Sequence, residues 1–180
     1  MLIARQKRKE NIVEYILYMW QVEDLIRAYR FDMERIHTNI VDKFDSKNGE
    51  KEEIARWYEN LVLMMERENI KEKGHLQINR NQVNDLYEFH LLVQKSGQLP
   101  QYEMLFRQAK PFIDEFSAKA GGAGENDIET SLNALYGVLL LKLKGEEVSP
   151  GTLSSVQMFS QFLAHLAHYY KQYESGKLEL

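Results

Sequence analysis

The chain has 180 residues, 44% of them hydrophobic and 28% charged, with 23 Lys and Arg against 27 Asp and Glu and no Cys. That apolar share and a net charge of -4 exclude a disordered chain. The missing Cys excludes a disulfide scaffold, a Cys-ligated metal and a thiol nucleophile, and the slight acidic excess argues against a generic nucleic-acid binder.

Apolar residues recur at spacings of three and four almost throughout, and no stretch alternates with the period of a half-buried strand. The expected fold is therefore all-α: a single domain over residues 1–180, folded as one bundle of about seven helices. Breaks at Asp45–Gly49, around Gly74, at Ser96–Pro100, at Ala120–Gly124 and at Gly145–Pro150 place the helices at roughly 7–30, 32–44, 51–73, 77–95, 101–119, 127–144 and 150–174.

The first helix opens on the basic cluster Arg5, Lys7, Arg8 and Lys9. Its apolar run, Ile12 to Trp20, is interrupted by Glu14 and is about half the ~20 residues a bilayer span needs. No small-residue cleavage site follows, so the expectation is a cytoplasmic protein with no membrane span. Little of this helix's circumference is polar, and the sixth is similar, so these two are expected to be central. Carboxylates on so apolar a first helix need compensation. Glu23 can pair with Arg27 one turn on, whereas Asp24 and Glu14 are expected to draw Arg56, Arg67 or Arg80 from other helices.

Further along, His37 falls on the wheel among Met33, Ile40 and Val41, and His90 among Val83, Leu86 and Val93, which points both at the core. Pro111 interrupts the apolar face of the fifth helix and predicts a kink or a break. Asn126 with Glu129 reads as a capping box, and Ser149-Pro150 as a cap followed by Pro at the first helical position. The segment 120–125 reads as a mobile loop. Gly137, inside the sixth helix, suggests the close approach of a neighbouring helix.

Chemistry-bearing motifs are sparse. Glu34-Arg-Ile-His37 and Glu72-Lys-Gly-His75 have the Glu-x-x-His spacing of di-iron bundles, but two such pairs are near chance and the second straddles Gly74. No metal site and no cofactor are expected. There is no phosphate-binding glycine loop, no GxSxG and no HExxH. The functional expectation is a non-enzymatic binding or interaction module that pairs as a homodimer through a helix face, with an unidentified protein or small-molecule partner. The alternative is a small-ligand-binding protein or enzyme, with a polar pocket built on the first and fourth helices. Its first-helix wall would be Glu14, Tyr18, Gln21 and Asp24.

The segment from Ala4 to Arg27, together with Gly74-His-Leu-Gln77 and Asn84-Asp-Leu…His90, resembles a bacterial family of about this length known only as a domain of unknown function. The resemblance runs over the whole chain and implies a bacterial, intracellular, helical protein. It supplies no activity and no catalytic residue. It adds His75, Gln77, Asn84 and His90 to Gln21 and Asp24 as a set to inspect for convergence, which completes the candidate pocket.

Overall fold

The computed structural model describes residues 2–44, 49–122 and 124–180. The described residues form eight α-helices and no strand: α1 (Leu2–Glu10), α2 (Ile12–Ala28), α3 (Met33–Asn39), α4 (Glu50–Arg67), α5 (Gln77–Ser96), α6 (Pro100–Lys119), α7 (Asp127–Leu143) and α8 (Pro150–Glu174), with a 3-10 turn at Val41–Lys43. No helix among them is long and apolar enough to cross a membrane.

The all-α expectation holds, and the extra helix comes from Asn11. Its side-chain oxygen accepts from the Val13 backbone N–H at 3.0 Å, which starts a new helix where the sequence pattern predicts one continuous element. The segment 32–44 is likewise divided, into α3 and the 3-10 turn. Asp32 opens it by accepting from the N–H groups of Glu34 and Arg35. The expected caps at Asn126 and Ser149 are both made, on Ile128 and Glu129 and on Thr152 respectively. In the capping box, Glu129 reaches back to the Glu125 N–H rather than to that of Asn126. The expected breaks at 45–49 and 120–125 fall partly outside the described residues.

Pro111 does not break α6. It stands on the exposed side of the helix, as does Arg107, whose carbonyl loses its partner, so water can take the place of the missing bond. Pro111→Ala should therefore restore a helical bond and raise the unfolding free energy by about 2 kcal/mol, measured by urea denaturation. That figure sets the ~3 kcal/mol interior cost of Pro against the freedom regained by the unfolded chain. Gly137 also departs from expectation: a methyl group added there would meet nothing within 4 Å, so no neighbouring helix requires the glycine.

The chain packs as two units, the first comprising residues 1–9 and 14–81 and the second residues 10–13 and 82–180. In the first, Met19, Val22 and Ile26 of α2 pack in one core with Ile36, Val41, Tyr58, Leu61, Val62, Met65 and Leu76. In the second, α6, α7 and α8 pack on one another. Phe162 is central there, with rings of His90, Tyr102 and Phe106 at 5.9, 5.5 and 5.4 Å. Helix α7 buries Ile128, Leu132 and Ala134 near its start, whereas Leu143 at its end is 68% exposed.

Candidate functional site

The first unit contains a fully buried carboxylate, that of Glu23 on α2. Its Oε1 accepts from the Leu76 backbone N–H at 3.0 Å and from Asn79 Nδ2 at 2.6 Å, and its Oε2 meets His75 Nδ1 at 2.6 Å. The imidazole stacks on Trp20, one turn before Glu23, with ring centroids 4.3 Å apart and planes at 16°. The His75 side chain keeps 26% of its surface exposed, while Glu23 keeps none. Asn79, also fully buried, leaves Oδ1 without a hydrogen-bond partner among the described residues. A charge taken this far from water survives only with several donors around it, and three converge here.

One turn further along α2, Arg27 holds the same loop from outside. Its Nη1 pairs with Asp24 at 2.8 Å, and its Nε and Nη2 donate to the Ile70 carbonyl at 3.3 and 3.1 Å. A further bond from Nη2 reaches the Gly74 carbonyl. The two ends of the 70–74 turn are thus gathered by one planar guanidinium, the geometry that distinguishes Arg from Lys.

Local sequence prepares this loop. Helix α4 ends with Asn69 in the left-handed region at φ 56°, with Asn69 N–H to the Glu66 carbonyl and Ile70 N–H to the Met65 carbonyl. Asn tolerates that conformation, so the chain turns sharply there. Gly74, at φ 93°, makes the second turn. Helix α2 ends in the same way but with poorer residues for it: Arg30 and Phe31 stand at φ 56° and 60°. Lys71 of the loop lies over the Phe31 ring, 5.4 Å from its centroid, and also pairs with Glu66 at 2.6 Å.

The predicted site residues divide. His75 is at the centre of the cluster. Asp24 is beside it and pairs with Arg27 of its own helix at 2.8 Å, because positions 24 and 27 share a face. The expected Glu23–Arg27 pair is replaced by bonds from Glu23 to His75, Leu76 and Asn79. Glu14, expected to be buried, is exposed and meets Lys7 across the Asn11 break at 3.0 Å. Tyr18 is half-buried at the margin of the first core, and burial raises its phenol pKa. Gln21 is half-buried. Gln77 donates through its backbone to Glu68 at 2.7 Å and through its amide to Asn81 at 2.8 Å.

Asn84 and His90 belong to the second unit, where Asn84 is exposed. His90 is buried, with Nδ1 2.6 Å from the Tyr102 hydroxyl. Burial lowers its pKa to about 4, partly opposed by the Asp127 carboxylate, and burial also pushes the Tyr102 phenol upward. Both groups are thereby kept neutral, as a polar pair inside an aromatic core. His37, predicted to face the core, is instead exposed and lies 3.4 Å from Asp42. The two Glu-x-x-His pairs thus spend their imidazoles on Asp42 and Glu23, and among the described residues no three His, Asp or Glu side chains are grouped to hold a metal.

Sequence reasoning missed Asn79, Trp20 and Tyr102. Asn79 carried a signal, since Leu76, Asn79, Val83 and Leu86 form one helical stripe in which Asn is the polar intruder.

An all-helical protein whose first unit fixes a surface loop through a buried carboxylate and an imidazole is the class that these features define. The chain belongs to the family described as Domain of unknown function (DUF4924), whose model matches residues 1–177. No curated protein and no solved structure matches it.

Proposed function

We propose that the protein is a non-enzymatic binding module that presents the 69–76 loop of its first unit to a partner protein, and that it also self-associates. The observation that carries this reading is Glu23, which spends both oxygens on His75, Leu76 and Asn79. An apolar residue of similar volume is often no less stabilising than a buried charge. What the carboxylate supplies, and an apolar residue does not, is directional hold on a loop. A loop ordered beforehand loses less conformational freedom when it meets a partner. The left-handed Arg30 and Phe31 under Lys71 add local strain of the kind that gathers at recognition surfaces. The loop tip, Lys71 to Gly74, is exposed and carries charges of both signs, which suits the polar rim of a protein interface.

Exchanging the loop charges, Glu72→Lys with Lys73→Glu, preserves net charge and touches no bond that holds the loop. The doubly substituted protein should keep its circular dichroism spectrum and lose a partner that the wild type retains in affinity capture followed by mass spectrometry. Identical captured sets would overturn this reading. One observation favours a second: a carboxylate meets His75 Nδ1 while the imidazole side chain keeps 26% of its surface exposed, an arrangement suited to an acid–base imidazole acting on a small ligand. A metabolite whose binding is lost in His75→Asn and kept in the charge exchange would favour it.

A further inference from the structure

Helices α6, α7 and the start of α8, all in the second unit, enclose a cleft of about 380 Å³ that lies apart from the loop site described above. Its walls are apolar: Phe112 and Phe116 from α6, Val138 from α7, and Val156 and Phe159 from α8. Phe116 and Phe159 meet edge to face, with centroids 6.4 Å apart, so the floor is a set aromatic surface. A volume on the order of ten waters, at ~30 Å³ each, offers them few partners on walls of this kind.

The mouth decides what would enter. Its one cation and one anion, Lys119 and Glu115, already pair with each other at 2.5 Å. The pair offsets its own charges at the mouth, and a neutral ligand leaves it in place. The other mouth groups are hydroxyls. Ser155 donates to the Gly151 carbonyl at 3.1 Å, so its proton is spent. Ser149 and Thr152 share a single hydroxyl–hydroxyl bond of 2.9 Å, in which only one of them donates. The proton of the other is not used in that bond. The cleft therefore offers an aromatic floor, a neutralised ion pair and a lining hydroxyl pair with one proton to spare.

We propose that this cleft is a binding site for a neutral aromatic molecule carrying one hydrogen-bond acceptor, such as a carbonyl. Its size and apolar lining are those of a small-molecule pocket, in which a few placed polar groups set orientation. The site is separate from the loop of the first unit and does not depend on the function proposed for it.

The fluorescent aromatic ketone prodan, which is neutral and whose emission shifts to the blue when it leaves water, is the probe. Titrated into the full chain, it should give a saturable blue shift. In two-dimensional NMR it should move the methyl signals of Val138 and Val156 while leaving those of Leu61 and Val62 in place. Ser155→Trp, which fills the cleft from a half-buried wall position, should weaken binding at least about ten-fold. Ser154→Trp, on the exposed neighbouring position, should bind as the wild type does. No saturable shift, or methyl shifts outside the cleft, would overturn the proposal with the wild-type protein alone, whether or not the tryptophan variant folds. A blue shift that fades as protein concentration rises, with a dimer forming in sedimentation, would assign the cleft to a second copy of the chain and equally overturn it.

Discussion

Glu23→Ala should lower the unfolding free energy by about 3–5 kcal/mol, while the same change at the adjacent Asp24 should cost under about 1 kcal/mol. The contrast follows from surroundings rather than from residue type. Removing Glu23 strands the Leu76 N–H and the Asn79 amide in a site closed to water, and each unpaired group costs about 1–3 kcal/mol. It also deprives His75 of the partner that keeps it against Trp20. Asp24 is 42% exposed and its partner Arg27 keeps two backbone carbonyls when the carboxylate is gone, so screening and water absorb the loss. Urea denaturation followed by tryptophan fluorescence measures both. Glu23→Gln should fall between them, since the amide can still accept from Leu76 and Asn79. Equal losses at positions 23 and 24 would show that the buried carboxylate does not hold the loop.

The second large effect is one of acid stability, and it belongs to His90. The imidazole pKa is about 4 in the folded chain against 6.5 in the unfolded one, because burial among Tyr102, Phe106 and Phe162 disfavours its charged form. Tyr87 also stacks near it, and the Asp127 carboxylate opposes the shift without reversing it. With the folded value depressed, the unfolded chain binds more protons between pH 6.5 and 4, so stability rises with pH through that window. As pH falls from 6.5 to 4, His90 alone should remove about 3 kcal/mol, at 1.36 kcal/mol per pH unit. Above pH 6.5 it contributes no slope. Denaturation at a series of pH values should show the wild type losing its advantage over His90→Asn across this window. A difference between the two that stays constant with pH would remove His90 as the origin. The variant starts from a lower baseline, because the buried Tyr102 hydroxyl loses its ring-nitrogen partner.

Helix placement was the most legible part of the chain, because it is set by neighbours in sequence. The three-and-four spacing of apolar residues, the caps Asn126 and Ser149, and Gly145 just beyond α7 each act over one turn, and each stands where its pattern predicts. Two local signals were misjudged for reasons that are themselves local. The Asn11 cap falls inside what the apolar spacing reads as one helix over 7–30, because that spacing does not register a cap within it. Pro111 predicts a kink or a break, and the break is absent because the residue stands on the exposed side of a helix that continues through it.

The site was legible only in part. The need to compensate a first-helix carboxylate follows from the helical pattern, and His75 enters through the family resemblance, yet the pattern pairs the carboxylate with the wrong partner. Glu23 and Arg27 are one turn apart, and helical spacing permits that pair as readily as Asp24 with Arg27. The choice was made by residues 52 to 56 positions away, when the loop before α5 brought His75, Leu76 and Asn79 onto Glu23. No periodicity within a helix encodes such a contact. The spacing of side chains determined which residues turn inward; which buried charge meets which donor was decided by tertiary packing alone, because desolvation rewards only the arrangement in which every polar group finds a partner.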